Sequence, residues 1–142
     1  PDGKVYATEL GEDNVEELRE EVEESSASNI TVLEGRSTET NLPEECCDAL
    51  VMRRVYHHIN NPPPFNASLL RSLKPGGRLA VIDFEPRGSA SEDAEGRDRG
   101  SQHGVTPETV KQELTDAGFV VISSEDRSGR DFAVVLEKPQ AP

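Results

Sequence analysis

The residues best suited to chemistry stand together in one short segment, in which Tyr56, His57 and His58 follow an apolar stretch. An imidazole with an ordinary pKa of about 6.5 can take a proton from a hydroxyl or an amine near neutral pH. Adjacent side chains usually point in different directions, so at most one of the three is expected to face a substrate. We predict them as the catalytic group, and a structural or surface role of the histidines is the open alternative.

Further polar residues stand where strands are predicted to end. Ligands of open parallel α/β sheets bind beyond the carboxyl ends of the strands. A carboxylate there can accept hydrogen bonds from both hydroxyls of a ribose, because its two oxygens have nearly the right separation. Glu9 suits this role, and a solvated acid at a strand end is the alternative. The strand ends of interest are Glu9, Gly35 to Ser37, Arg53 to His58 and Asp83 to Glu85.

The cysteines and histidines do not predict a metal site. Cys46 and Cys47 are adjacent, so a bridge between them would be strained, and we expect reduced side chains. No pair among these cysteines, His57, His58 and His103 shows the usual spacing of metal ligands. We therefore predict that the protein carries no metal.

The overall charge limits the class of partner. The 142 residues include 28 acidic and 15 basic side chains, for a formal net charge of -13, which repels a phosphate backbone. No apolar run approaches the roughly 18 to 20 residues that span a bilayer. We therefore expect one domain without nucleic acid or membrane as a partner, and the cysteines, expected to be reduced, favour the cytoplasm.

The pattern of apolar residues predicts strands that alternate with helices. A helix is predicted after Gly11, with a capping box formed by Asp13 and Glu16, and another is predicted to start at Pro62 to Pro64. The sequence KPGG at 74–77 predicts a tight turn before an apolar strand. Short apolar or β-branched runs predict four strands, at 4–10, 29–34, 48–55 and 78–84.

The last third of the chain begins with residues 86–104, whose glycine, serine and charge predict a long mobile loop. Thr106 and Gly118 are typical of the start and end of a third helix. Two strands at 119–123 and 131–137 then form a hairpin. The order predicts an α/β fold with a mainly parallel sheet, helices on both faces and an antiparallel hairpin at the end.

The sequence resembles the class I S-adenosylmethionine-dependent methyltransferases over nearly its whole length. The stretch GKVYATEL resembles the family's second strand with its ribose-binding acid, and LP at 42–43 with DALV at 48–51 resembles the approach to the fourth strand. LKPGGRLAVIDF resembles the fifth strand, and AGF at 117–119 before a hairpin resembles the C-terminal end. The segment YHHI at 56–59 is most similar to small-molecule methyltransferases of types 11 and 25.

The resemblance implies a Rossmann-like fold, S-adenosylmethionine as cofactor and methyl transfer to a small-molecule acceptor. It implies that Glu9 holds the ribose, that residues 35–37 flank the adenine and that one of residues 56–58 faces the acceptor. Arg36 departs from the family, which often has an aspartate there, because a guanidinium cannot accept a hydrogen bond from adenine. The implied cofactor residues are Glu9, Leu10, Gly35, Arg36, Ser37 and Arg53.

The family's first strand and its glycine-rich loop have no counterpart in this sequence, so we expect an N-terminally truncated domain. In the family's strand order the first strand lies between the second and the fourth, and its absence would leave a slot within the sheet. At least about 30 residues are expected upstream. Residues 1–142 are thus interpreted as a partial methyltransferase domain that is inactive by itself.

Two other classes of function stay open on the sequence. An NAD(P)-dependent oxidoreductase of the Rossmann fold also uses an acid after its second strand, but that fold lacks the KPGG turn and the closing hairpin. The missing first strand also makes a non-catalytic remnant or an interaction domain reasonable.

Overall fold

The structure of the protein, a computed structural model, describes residues 3–36, 38–89, 94–98 and 100–140. None of the helices in these residues is long and apolar enough to cross a membrane. The predicted alternation of strands and helices is confirmed. The elements are β1 (Val5–Leu10), α1 (Glu12–Glu24), β2 (Ile30–Gly35), β3 (Cys47–Arg53), α2 (Pro62–Ser72), β4 (Leu73–Phe84), α3 (Pro107–Ala117), β5 (Val120–Asp126) and β6 (Asp131–Glu137), with 3₁₀ turns at Tyr56–His58, Glu95–Asp98 and Gly100–Gln102.

The helix boundaries follow local signals to different degrees. Helix α3 starts as predicted, because the Thr106 side chain accepts a hydrogen bond from the Thr109 amide, and it ends at Gly118 in a left-handed conformation. Helix α1 is different, since Gly11 precedes it and no side chain caps it. The predicted capping box is therefore wrong, and Asp13 lies within the first turn, where its charge favours the helix dipole.

The predicted KPGG turn is built into the beginning of β4. Gly76 has φ of 81°, and the pairing with β3 passes from Cys47 opposite Leu73 to Ala49 opposite Arg78. The chain therefore bulges between these two pairs. The bulge is held by the Gly76 amide, which donates to the Lys138 carbonyl over 2.8 Å.

The strands form two separate sheets. Strands β1 and β2 pair in parallel, and the larger sheet has the order β3-β4-β6-β5. Strand β6 is antiparallel to both of its neighbours, which confirms the closing hairpin. The larger sheet is therefore parallel on the β3 side and antiparallel on the β5 side.

The space between β1 and β3 is an open slot, as we predict from the absence of a counterpart to the family's first strand. It has a volume of about 610 Å³ and is lined by side chains of both strands, among them Val5, Tyr6, Leu50 and Val51. Val5 is 48% exposed and Val51 is 68% exposed. These apolar strand residues are therefore left uncovered at the centre of the expected sheet.

The hydrophobic core lies on one face of the larger sheet. Helices α2 and α3 contact each other and cover this face, whereas α1 packs against the small sheet, with Val15 as its buried residue. The alternation of buried residues along β4 and β6 places every second side chain in the core. The core residues of these two strands are Leu73, Leu79, Val81, Phe132, Val134 and Leu136.

The segment 86–104 is partly packed, which corrects the prediction of one long mobile loop. Its Arg97 is only 5% exposed, and its guanidinium binds both carboxylate oxygens of Glu113 on α3 at 3.0 and 2.6 Å. Because the segment has few apolar residues, this bidentate ion pair holds it against α3 in place of apolar contacts. Residues 90–93 and 99, which the prediction also covered, lie outside the described residues.

Cys46 and Cys47 lie at the start of β3 and line the slot. Their sulfur atoms are joined in a disulfide, so the prediction of reduced side chains is wrong. The strand register is irregular just after Cys47.

Candidate active site

The carboxyl ends of β3 and β4 lie side by side, because the two strands are parallel and Arg53 pairs with Ile82. The Arg54 amide donates to the Ile82 carbonyl over 2.7 Å, and Arg54 has φ of 58°, which turns the chain sharply. The 3₁₀ turn Tyr56–His58 follows directly. It therefore lies against the end of β4, where Asp83 and Phe84 stand.

His57 is held by the carboxylate of Asp83. Its Nδ1 lies 2.8 Å from Asp83 Oδ1, and its backbone amide donates to Oδ2 over 3.1 Å. Both side chains are buried, and the Phe84 amide also donates to Asp83. Because a carboxylate accepts only, Nδ1 carries the proton and the lone pair of a neutral His57 lies on Nε2. Asp83 is thus the residue that orients His57, a role that the sequence did not assign.

His103 completes the group from a distant part of the chain. Its Nε2 lies 3.0 Å from His57 Nε2, and its ring stands edge-on to the ring of Phe84. The following residue, Gly104, lies so close to the end of β4 that a Cβ there would meet the Phe84 carbonyl oxygen at 2.7 Å. This close approach brings His103 against His57.

We expect Gly104→Ala to lower the free energy of unfolding by about 2 to 4 kcal/mol, because it adds a clash with backbone to a strained positive φ. Gly129→Ala is the matched control, since Gly129 also has a positive φ but has open space around it. We expect about 1 to 2 kcal/mol for that change. Urea unfolding of both variants checks this, and equal losses would show that the approach of Gly104 to β4 is not tight.

The three histidines of the chain therefore form one cluster, although no metal-ligand spacing had been predicted. The cluster consists of His57, His58 and His103, and one ring nitrogen from each lies within 4.8 Å of the others. The rings of His57 and His58 are 4.1 Å apart. His58 and His103 are exposed, so the cluster opens to the surface.

Tyr56 has a structural position, contrary to its prediction as a residue facing the acceptor. It is fully buried, its hydroxyl donates to Glu113 over 2.9 Å, and it accepts from Asn66 over 2.9 Å. Burial, and next the negative charge of Glu113, raises the pKa of the phenol far above its ordinary value. Tyr56 therefore stays protonated and ties the turn to α2 and α3.

An open pocket of about 590 Å³ adjoins the cluster and is rich in arginine. His103 and Phe84 line it together with Arg54, Arg87 and Arg130. Arg54 forms an ion pair with Asp131 at 3.1 Å, and the guanidinium groups of Arg54 and Arg130 lie 5.4 and 5.7 Å from the Phe84 ring centre. The pocket is thus positively charged in a chain of net charge -13.

The predicted cofactor residues lie at the ends of β1, β2 and β3. Glu9 is exposed, and the next residue of β1 pairs with Gly35 at the end of β2. Arg36 is exposed and closes a tight turn with Glu39, while Arg53 is exposed at the end of β3. The structure therefore brings the Glu9 and Gly35 positions together. Of the other two predicted residues, Ser37 lies outside the described residues, and for Leu10 only the backbone is described.

A comparison with known protein families matches residues 2–81 to the family described as "Methyltransferase domain". The chain belongs to the class I S-adenosylmethionine-dependent methyltransferases. This match confirms the resemblance read from the sequence and decides against the nicotinamide oxidoreductase.

Related proteins of known function are methyltransferases with different acceptors. The phosphoethanolamine N-methyltransferase of Triticum aestivum is 33% identical over 108 residues, which are 73% of this chain and 21% of that protein. The demethylmenaquinone methyltransferase of Listeria welshimeri is 28% identical over 83 residues, 58% of this chain and 35% of that protein. This methyltransferase chain thus spans about a fifth to a third of the length of these relatives.

Solved structures confirm the fold. A methyltransferase from Aquifex aeolicus that depends on S-adenosylmethionine has a TM-score of 0.81 and 28% identity, and the alignment covers 96% of this chain and 69% of that one. The cyclase SpnF has a TM-score of 0.80 at 16% identity, with 97% of this chain and 67% of that one covered. The second likeness concerns the fold alone, which is shared by proteins of different chemistry.

Proposed function

We propose that the protein transfers a methyl group from S-adenosylmethionine to a small-molecule acceptor, with His57 as the residue that takes the acceptor's proton. The observation that carries this proposal is the buried Asp83–His57 pair at the carboxyl end of β4, in a chain of the methyltransferase family. Ligands of this fold class bind at that edge of the sheet.

The residues present fit one half of the cofactor. Glu9 offers an exposed carboxylate at the end of β1, which suits the two hydroxyls of a ribose. A Cβ on Gly35 would be in ordinary contact with the Thr40 carbonyl oxygen at 3.5 Å, so backbone lies beside Gly35 at the end of β2. The described residues contain no glycine-rich loop for the methionine half. When bound, the cofactor supplies a methyl group on a positively charged sulfur, which is open to attack by a nucleophile.

Proton transfer is the task of His57. An acceptor hydroxyl or amine that attacks the methyl carbon must lose its proton, and the His57 Nε2 lone pair can accept it. Asp83 then stabilises the imidazolium through the hydrogen bond to Nδ1. His103 stands between His57 and the pocket, so it is placed to relay the proton from a bound acceptor.

The arginine-lined pocket beside His103 is the proposed acceptor site. Guanidinium groups bind carboxylates and phosphates through charge-assisted hydrogen bonds. One relative is named for a phosphate-bearing acceptor, phosphoethanolamine. Phosphoethanolamine is therefore the first acceptor to assay with this protein.

We expect Glu9→Ala to weaken cofactor binding by about 1 to 3 kcal/mol, or about 5- to 150-fold, because the ribose hydroxyls lose their acceptor. Calorimetric titration with S-adenosylmethionine measures this in a lengthened chain, in which an added N-terminal strand fills the slot between β1 and β3. This lengthened chain is called the filled chain. Glu24→Ala, at the exposed end of α1, is the control and should leave the dissociation constant unchanged. If the filled chain is folded but gives no heat, the cofactor site does not lie at Glu9.

A further inference from the structure

We propose that His57, His58 and His103 form a binding site for a transition-metal ion of the zinc type. Imidazole nitrogens are ligands that Zn²⁺, Cu²⁺, Ni²⁺ and Fe²⁺ accept, and three of them with an open fourth position are typical of zinc sites that bind a further ligand. The chain has three histidines, and the fold brings all of them together from positions up to 46 residues apart.

The strongest sign is the contact of two Nε2 atoms. His57 Nε2 and His103 Nε2 lie 3.0 Å apart, and Asp83 fixes the lone pair of a neutral His57 on Nε2. The contact is therefore occupied either by the N–H of a neutral His103, protonated on Nε2, that donates to this lone pair, or, when both nitrogens are deprotonated, by a metal ion bound by both rings.

The support behind His57 matches that of a metal ligand. Histidines that bind metals usually donate their other N–H to a carboxylate, which fixes the ring and raises its basicity. Asp83 takes that position with a 2.8 Å contact, and it is itself held by the amides of His57 and Phe84. His57 is therefore oriented before a metal arrives.

The distances require only small movements of exposed side chains. Zinc–nitrogen bonds of about 2.0 to 2.1 Å at tetrahedral angles place ligand nitrogens about 3.3 Å apart. The nitrogens of the cluster lie within 4.8 Å of one another, so the widest pair must close by roughly 1.5 Å. His58 and His103 are exposed and can make this adjustment.

The surrounding charges determine the fourth ligand. The negative charge of Asp83 lies directly behind His57, whereas Arg54, Arg87 and Arg130 line the adjoining pocket on the side of His103. Arg54 is neutralised in part by Asp131. The remaining positive charge favours an anion, such as hydroxide or a carboxylate, as the ligand that completes the site.

The metal-bound form and the base of the proposed function use the same lone pair. His57 with a metal on Nε2 cannot accept a proton there, so the two are alternative states of one cluster. The proposal does not depend on methyl transfer, because metal binding is measurable without cofactor or acceptor. A failure of one idea therefore leaves the other intact.

The test is titration of the chelator-treated 142-residue chain with Zn²⁺ by calorimetry and with Co²⁺ by visible absorption. We expect one ion per chain and the intense bands of tetrahedral Co²⁺. His103→Ala and His58→Ala, both at exposed positions, should abolish these bands. Asp83→Asn should weaken Zn²⁺ binding by about 10- to 100-fold. Circular dichroism confirms that each variant is folded.

The matched control is the double variant Cys46→Ser with Cys47→Ser, which removes the thiols that could bind zinc after reduction. It should bind Zn²⁺ like the parent chain. The proposal is overturned if the parent chain shows no saturable binding, which would leave a shared proton between His57 and His103. It is equally overturned if His103→Ala binds Zn²⁺ unchanged, because the ion would then lie on the acidic surface.

Discussion

In a chain whose slot between β1 and β3 has been filled by an added strand, replacing His57 by glutamine should lower kcat for methyl transfer by about 10²- to 10⁴-fold, the usual contribution of a positioned general base. The change removes the nitrogen that accepts the proton and leaves Asp83 with its bonds from the two backbone amides. The loss should appear in kcat and leave the dissociation constant of the cofactor unaltered, because His57 stands at the acceptor side. Transfer of a radioactive methyl group to phosphoethanolamine measures it.

His58→Gln is the matched control for this prediction. It makes the same chemical change one residue further along, at an exposed position, whereas Asp83 pairs with His57. We expect kcat of this variant to stay within a few-fold of the parent. If His58→Gln is the inactive variant and His57→Gln the active one, His57 is a structural residue, and the assignment of the base moves to His58.

The elements that could be predicted from the sequence are those whose signals are local. Helix α3 is the clearest case, because Thr106, Pro107 and Gly118 fix both ends within the helix's own residues. The hairpin of β5 and β6 is similar. Helix α1 was predicted to start with a side-chain cap, but Gly11 already turns the chain into the helix, and Asp13 is no longer at the boundary.

The packing of residues 94–98 and 100–104 could not be predicted because it depends on one distant partner. Arg97 is buried only because Glu113 of α3 faces it with both oxygens. In sequence these two are ordinary charged residues in polar surroundings. The polar composition of the segment predicts that it is solvated, whereas the ion pair of Arg97 with Glu113 holds it against α3.

The sequence predicts the positions of the site residues better than it predicts their roles. Strand ends and the family resemblance pointed to Glu9, Gly35 and the segment 56–58, which the structure does place at strand ends. The pairing of His57 with Asp83 spans 26 residues and that with His103 spans 46. Such contacts depend on register and on the approach of Gly104, for which a single sequence carries no signal. Tyr56 is fully buried, and its position next to His57 in the sequence does not predict this burial.

The slot between the two sheets leads to the second large expected effect. A segment of about 30 residues with an apolar strand, a glycine-rich loop and a helix, joined ahead of Pro1, should pair with β1 and β3. It would cover Val5, Val51 and Val55, which are now 48%, 68% and 39% exposed. Burial of these three side chains alone is worth about 2 to 4 kcal/mol. We expect the free energy of unfolding to rise by at least that amount.

Cofactor affinity should rise together with stability. On the proposed assignment the 142-residue chain contacts only the ribose and adenine side of the cofactor, so we expect weak binding of S-adenosylmethionine, with a dissociation constant of about 1 mM or more, equivalent to roughly -4 kcal/mol. The added loop brings backbone amides to the methionine half, and a gain of about 3 kcal/mol would be more than 100-fold. Calorimetry on both chains measures the difference.

The control is the same added segment with lysines in place of the strand's apolar residues, which keeps length and loop but prevents the strand from filling an apolar slot lined by Leu50 and Val51. This version should leave stability and affinity at the level of the 142-residue chain. If both versions raise affinity equally, the cofactor does not require the strand between β1 and β3. If neither does while the apolar version stabilises the fold, the strand completes the sheet and the cofactor site must lie elsewhere.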